Sequence, residues 1–198
     1  MNAIFSLPNF LSLLRILLTP LFVFCLIQGG SFLLWAVVIF IIAPLTDYFD
    51  GYFARKFSLA SKCGMFLDPL ADKVLILTTF STFYFFGIID LWMVVLIVFR
   101  DLVITSLRIV FMLKGTVLKT SILGKWKTTS QFFLIYVILV ISVFYLFKGV
   151  NDFQVIASYL YKFTLFTVLL HSVVWLTIYS GLHYFVSNWQ IIKNLFER

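Results

Sequence analysis

Six long apolar stretches, separated by short polar turns, constrain this 198-residue chain more than any other feature. A helix needs about 20 predominantly apolar residues to cross a bilayer. Hydrophobic residues make up 63% of the chain and charged residues only 12%, which is more apolar surface than a water-soluble domain of this length can bury. The sequence therefore predicts an all-α, polytopic membrane protein with six transmembrane helices in a single domain (1–198). The predicted spans are 10–28, 31–53, 69–87, 90–113, 121–147 and 155–180.

The charged residues predict the orientation of these spans. Basic residues cluster after spans two and four and in the tail, which the positive-inside rule assigns to the cytoplasm together with both termini. Arg15 interrupts the first apolar run, so we expect a retained span and not a cleaved signal. The tail, 183–198, is predicted to lie along the membrane interface as an amphipathic helix. The net charge of +7 indicates membrane lipids and anionic substrates as partners, and not nucleic acid. A bacterial inner membrane is the expected location.

Four carboxylates lie at the predicted cytoplasmic break between spans two and three. Asp47 and Asp50 are three residues apart, and Asp68 and Asp72 are four apart, so each pair is predicted to share one helical face. Converging carboxylates repel one another unless a cation lies between them. Hard oxygen ligands suit Mg²⁺ or Mn²⁺, and four of them can hold two ions. Taken alone, Asp68 before Pro69 is also typical of a helix N-cap.

These residues form the pattern D-x₂-D-G-x₂-A-R-x₈-G-x₃-D-x₃-D, which resembles the signature of the CDP-alcohol phosphatidyltransferase family at every fixed position. The resemblance implies a six-helix membrane fold, a common homodimeric state and CDP-diacylglycerol as the lipid donor. It implies that Asp47, Asp50, Asp68 and Asp72 bind the metal ions and that Asp72 is also the general base. It further implies that Gly51, Arg55 and Ser61 contact the CDP group. We expect Lys73 to lie on another face of its helix.

Further stretches resemble the branch of this family that uses glycerol 3-phosphate as acceptor. They include Phe66–Lys73 and Leu123–Gln131. Charges inside a membrane helix usually face a cavity or a partner. Arg100 and Arg108, with Lys125 and Lys127 at the cytoplasmic mouth, are therefore predicted to bind the acceptor phosphate.

Other interpretations of these residues stay open at the level of sequence. Arg100 with Asp101 is also typical of a neutralised structural pair, Arg108 of a residue at a helix end that extends toward the interface, and Lys125 and Lys127 of topology signals.

Three rival functions also stay open. The first is a family member with another acceptor, such as phosphatidylglycerol, inositol phosphate or serine. The second is a cation transporter, against which the one-sided position of the acids argues. The third is a catalytically silent relative that serves as a scaffold, although no motif residue is missing.

Overall fold

A computed structural model gives the architecture of the chain. It describes the backbone of residues 7–57, 64–114 and 121–196. Side chains within these ranges are described except at 7–11, 47–57, 64–70, 72 and 194–196.

The described residues form helices and connecting turns, without a strand, so the predicted all-α class is confirmed. Helix α1 packs against α2 and α3, α4 packs against α3 and α7, and α5 packs against α2 and α7. The helices are α1 Leu7–Gln28, α2 Phe32–Phe57, α3 Gly64–Phe85, α4 Leu91–Leu113, α5 Ile122–Phe147, α6 Phe153–Lys162, α7 Thr164–Ser187 and α8 Trp189–Phe196.

Glycine turns and side-chain caps set several of these boundaries. Gly87 and Gly149 follow α3 and α5 with φ of 71° and 80°, a conformation that glycine adopts without steric cost. After α5 the amide of Val150 donates to the carbonyl of Tyr145 and that of Gly149 to Leu146, which is the hydrogen-bond pair of a Schellman motif. At the start of α5 the Ser121 hydroxyl accepts from the Gly124 amide at 3.1 Å, so Ser121 is the N-cap.

Helix α3 begins earlier than the sequence predicts. It starts at Gly64 and not at Pro69, so Asp68 lies within the helix and the predicted N-cap role is wrong. Pro69 is the sixth residue of this helix and has no N–H to donate to the carbonyl of Met65, so α3 continues through a position that lacks one backbone hydrogen bond. As a result, both Asp68 and Asp72 belong to α3.

The predicted last span, 155–180, is two helices. The chain is extended at Phe163, with φ −87° and ψ 106°, between α6 and α7. Helix α6 buries one face and packs against α7. A straight helix cannot fold back on itself, so the turn at Phe163 is needed to bury that face. Helix α8 confirms that part of the tail is helical.

The described side chains have an apolar exterior and a partly polar interior. Large apolar residues such as Leu165 and Trp175 in α7 are 81% and 66% exposed, whereas Arg15, Asp101 and Lys127 are at most 1% exposed. Water-soluble domains show the opposite distribution. The pattern is that of a helical bundle whose outer surface faces lipid.

Two described helices are long and apolar enough to cross a bilayer. They are α5 and α7, with mean hydropathies of 2.3 and 1.7. Helix α4 has similar length but carries Arg100, Asp101 and Arg108. The apolar parts of α1, α2 and α3 that the structure describes are shorter, at Ser12–Gln28, Phe32–Thr46 and Lys73–Phe85.

Candidate active site

The acidic motif spans the end of one helix and the start of the next. Asp47, Asp50, Gly51 and Arg55 lie in the C-terminal part of α2, and Asp68 and Asp72 lie near the start of α3. A connection of six residues, 58–63, joins the two helices and contains Ser61, which lies outside the described residues.

The side chains of the motif in α2 and of both α3 aspartates are also outside the described set. Among the side chains that are described, no three histidine, cysteine or acidic groups come together as a metal site.

Next to this motif, α1 and α2 are joined by a buried arginine. The Arg15 side chain is 1% exposed, and its Nε donates to the carbonyl of Ala43 at 3.1 Å. Ala43 lies one turn before Asp47 in α2. This hydrogen bond holds the turn of α2 that precedes the motif against α1, inside the bundle.

A second group of charged residues meets between α3, α4 and α5. We call Lys73, Arg100, Asp101 and Lys127 the Asp101 cluster. Lys127 Nζ lies 2.5 Å from Asp101 Oδ2 and also donates to Oδ1. Arg100 Nη1 donates to Oδ1 at 2.9 Å, and Lys73 Nζ lies 3.7 Å from Oδ2. One carboxylate therefore has cations from three helices around it.

The cluster is almost completely shielded from solvent. The side chains of Asp101 and Lys127 are 0% exposed, whereas those of Arg100 and Lys73 are 14% and 20% exposed. Burying a charge is costly unless it is paired, and Asp101 is paired with each cation. Three cations and one carboxylate leave an excess of two positive charges among these residues. The partial exposure of Arg100 and Lys73 gives an anion a side from which to approach.

Helix α7 holds the arginine of the cluster from behind. Arg100 Nη2 donates to Ser180 Oγ at 3.0 Å, and the Ser180 hydroxyl in turn donates to the Thr177 carbonyl. The next residue, Gly181, lies so close that a Cβ there would be 3.0 Å from Arg100 Cγ. The absence of a side chain at Gly181 thus lets α7 approach the arginine.

The structure separates the four residues predicted to bind the acceptor phosphate. Arg100 and Lys127 meet at Asp101, and Lys127 is buried there and not at the mouth of the bundle where sequence placed it. Arg108 is exposed further along α4, with its guanidinium 5.5 Å from the centre of the Tyr184 ring. Lys125 is exposed, and its side chain has no described contact with the cluster.

Lys73 and Asp101 are members of this site that the sequence interpretation did not select. Lys73 reaches toward Asp101 of α4. A charged residue inside an otherwise apolar helix was the available signal for Asp101. Arg100 is its neighbour in sequence, but the other two partners, Lys73 and Lys127, come from positions that only the fold brings together.

Several buried polar atoms near these helices lack a hydrogen-bond partner within the described part of the chain. They are Arg100 Nε, both amide atoms of Gln131, and the Tyr184 hydroxyl. Gln131 lies one turn after Lys127 in α5 and is 0% exposed. Leaving buried polar groups unpaired is costly. These atoms are therefore donors and acceptors that a bound polar ligand could use, close to the cations of the Asp101 cluster.

Comparison with known proteins assigns the family. The sequence profile described as CDP-alcohol phosphatidyltransferase matches residues 5–182, which is most of the chain. This chain belongs to the CDP-alcohol phosphatidyltransferase family. The match extends well beyond the acidic motif and includes every helix that contributes to the Asp101 cluster.

Curated members of the family resemble this chain over long stretches. A CDP-diacylglycerol--glycerol-3-phosphate 3-phosphatidyltransferase of Bacillus subtilis is 34% identical over 202 residues, covering 96% of this chain and 98% of the relative. One of the same name from Cereibacter sphaeroides is 34% identical, covering 77% of this chain and 68% of the relative. A probable phosphatidylglycerophosphate synthase of Mycobacterium tuberculosis is 39% identical, with 64% and 62% covered.

Proposed function

We propose that the protein transfers the phosphatidyl group of CDP-diacylglycerol to sn-glycerol 3-phosphate, giving phosphatidylglycerophosphate and CMP. The observation that carries this proposal is the Asp101 cluster. Its four side chains comprise three cations and one carboxylate, and this local excess of positive charge suits an acceptor that bears a phosphate. An acceptor with a neutral head group has no need of such a cluster. The names of the relatives support the same acceptor.

In this proposal the acceptor phosphate is bound by Arg100 and Lys127 within the cluster. Arg108 and Lys125 are exposed and contribute attraction at the mouth of the pocket. Arginine offers a planar fork of donors to phosphate oxygens, and lysine offers a compact charge. The four residues thus divide between direct binding and steering.

The residues of the acidic motif fit a divalent metal site. Four carboxylates lie in two consecutive helices with spacings of three and four, and their oxygens are ligands that Mg²⁺ and Mn²⁺ prefer. Asp47, Asp50, Asp68 and Asp72 would hold the ions, most simply as a pair. Such ions supply charge neutralisation for the pyrophosphate and the departing phosphate.

The donor and the proton transfer are assigned to the same two helices. Gly51, Arg55 and Ser61 are proposed to contact the CDP group. The Asp72 carboxylate takes the proton from the 1-hydroxyl of glycerol 3-phosphate. The hydroxyl oxygen then bonds to the lipid-side phosphorus of CDP-diacylglycerol, the bond from that phosphorus to the bridging oxygen breaks, and CMP leaves.

We further propose that the chain is a single domain with six membrane spans, the last of which is α7. Both termini and the acidic motif face the cytoplasm of a bacterial cell, and α8 lies along the interface. The apolar exterior and the one-sided basic residues support this arrangement. A homodimer is the proposed assembly.

A substrate panel tests the function directly. Purified protein in detergent is given labelled CDP-diacylglycerol and Mg²⁺, with glycerol 3-phosphate, phosphatidylglycerol, inositol phosphate or serine in separate reactions. We expect CMP release that depends on glycerol 3-phosphate and stops when EDTA removes the metal. Release with another acceptor in place of glycerol 3-phosphate would assign a different member of the family. Ion flux in vesicles without CMP release would instead indicate a transporter.

A further inference from the structure

Asp101 connects three helices through its two oxygens. Lys127 of α5 donates to both of them, Arg100 of α4 donates to Oδ1, and Lys73 of α3 lies 3.7 Å from Oδ2. The side chain is 0% exposed, so no solvent competes for these contacts. Long basic side chains lose considerable conformational freedom when they are held in one place. A buried carboxylate that contacts all three fixes their positions before any ligand arrives.

The charge of the cluster matches one class of ligand. Without Asp101, three cations would face one another in a low-dielectric interior, where like charges repel strongly. With it, an excess of two positive charges remains among the described groups. A phosphate monoester carries about −1.5 to −2 at neutral pH. The cluster is therefore complementary to a phosphomonoester dianion, and not to a neutral alcohol.

We propose that Asp101 is a positioning residue that determines specificity for a phosphomonoester acceptor. It gathers Lys73, Arg100 and Lys127 at one point and sets the net charge of the group to suit a dianion. The inference rests on the proposed function and adds two residues, Asp101 and Lys73, to the acceptor site.

The position of Lys73 supports this assignment. It directly follows Asp72, the proposed base, in the first turns of α3. Consecutive residues are only about 1.5 Å apart along a helix axis, so the proposed base and Lys73 lie at nearly the same level of the bundle. That small difference in level suits an acceptor as short as glycerol 3-phosphate, whose phosphate and reacting hydroxyl are close together.

The decisive experiment compares Asp101→Asn with the wild type. We expect the KM for glycerol 3-phosphate to rise at least about tenfold, because removing one partner of a buried charge pair disrupts the groups left behind. The inhibition constant of inorganic phosphate, measured against glycerol 3-phosphate, rises in parallel. The KM for CDP-diacylglycerol stays within about twofold of the wild type, since the lipid donor binds to other residues.

The matched control is Asp90→Asn. Asp90 is exposed, lies at the N-terminus of α4, about three turns before Asp101, and makes no side-chain capping hydrogen bond. This variant keeps both KM values. A merely structural role for Asp101 would instead lower the amount of active protein and leave its KM for glycerol 3-phosphate and its phosphate inhibition unchanged, and that result would overturn the proposal.

Lys73→Gln keeps the test decisive if Asp101→Asn does not fold. Lys73 is the most exposed member of the cluster, so its replacement is tolerated more easily. Its control is Lys148→Gln, at the far end of α5, where the ammonium lies 4.4 Å from the centre of the Phe144 ring. A raised KM for glycerol 3-phosphate in Lys73→Gln alone supports the proposal, and an unchanged value contradicts it. If the wild type itself does not use glycerol 3-phosphate, the proposed function fails and not merely this inference.

Discussion

A carboxylate inside an apolar helix loses the solvation that water would give it, and its environment has to replace that loss. Asp101 obtains the replacement from three cations, two of them at hydrogen-bond distance. Breaking such a pair from one side costs about 3–5 kcal/mol, because the remaining charge stays buried without compensation. Lys127, also 0% exposed, depends on Asp101 in the same way. The effects of replacing Asp101 and Lys127 should therefore not be additive, because each residue neutralises the other.

Replacing the proposed general base should stop the reaction without preventing donor binding. Asp72→Asn retains the shape of the side chain but has no carboxylate to accept the proton of the acceptor hydroxyl. We expect turnover to fall at least about 100-fold, while binding of CDP-diacylglycerol, followed by equilibrium binding of a labelled lipid, is largely retained. Wild-type-like turnover in this variant would remove Asp72 from the role of base.

Replacing Arg108 should raise the KM for glycerol 3-phosphate more than the KM for CDP-diacylglycerol. Arg108→Ala removes an exposed guanidinium that lies over Tyr184, together with its attraction for an incoming anion. The KM for glycerol 3-phosphate is expected to rise about three- to tenfold, with a smaller effect on the lipid donor. Steady-state kinetics with each substrate varied in turn make the comparison, and Lys114→Ala at the exposed end of α4 is the control. Equal effects on both substrates would argue against a dedicated acceptor pocket.

The sequence predicts which charged residues belong to the site better than it predicts which of them contact one another. A charge in an apolar helix points to Arg100, and a basic residue at the predicted cytoplasmic mouth points to Lys127, and the fold brings the two together. Lys125 was grouped with Lys127, yet residues two apart on a helix point in different directions, and Lys125 is exposed. Lys73 was missed because its partner is 28 positions away in sequence, at Asp101.

Among the helices, the contact between α4 and α7 is the one that bears most directly on the site. Ser180 holds Arg100 by a hydrogen bond, and Gly181 lets the two helices approach. Small residues commonly permit such close packing of membrane helices. The position of Arg100 is therefore set by α7 as well as by Asp101.

A methyl group at Gly181 should disturb this contact. In Gly181→Ala the new Cβ would lie 3.0 Å from Arg100 Cγ, so the arginine or the helix has to move. Overpacking of this kind costs about 1–3 kcal/mol, and we expect a lower melting temperature with a raised KM for glycerol 3-phosphate.

The matched substitution is Gly124→Ala in α5, whose Cβ would meet only Ser121 Oγ at 3.5 Å, an ordinary contact. Its melting temperature should be unchanged or higher, since alanine favours a helix by about 1 kcal/mol over glycine. Equal melting temperatures for the two variants would contradict the close-approach argument.

Helix ends were predictable wherever a local signal marks them. The ends of α1, α4 and α5 lie within about three residues of the predicted bounds, because apolar length and glycine turns are properties of the local sequence. The start of α3 was missed because Pro69 was taken as a first residue, although the helix continues before it. The turn at Phe163 has no glycine or proline, and it results from the packing of α6 on α7. No local signal marks either exception, and at Phe163 the chain depends on the packing of α6.

For the molecule as a whole, the distribution of polarity determines the solvent in which it can fold. Trp175, Leu165 and Val186 cover the outside of α7, whereas Ser180 and Thr177 of the same helix are buried. An aqueous environment would penalise the exposed residues at about 25 cal/mol per Å² of apolar surface. A lipid environment removes that penalty and favours keeping the polar groups inside.

The proposed topology can be measured by cysteine labelling from outside the cell. In a background that carries Cys25→Ala and Cys63→Ser, Asn151→Cys places a thiol in the exposed turn before α6, and Lys114→Cys places one at the exposed end of α4. A membrane-impermeant maleimide should label the first in intact cells and the second only after permeabilisation, because the basic turns face the cytoplasm. The reverse pattern would invert the orientation.

Two pairs of stacked aromatic rings around α6 bear on where substrates and products enter and leave the protein. Phe86 stacks on Phe153 and Tyr145 on Tyr159, with ring centres 4.3 Å and 4.9 Å apart, at the end of the bundle away from the motif. In the proposed topology that end faces outward, so soluble acceptor and released nucleotide enter and leave on the cytoplasmic side, where the motif lies. The lipid product would then be formed in the cytoplasmic leaflet, and a separate step would have to carry it to the opposite one.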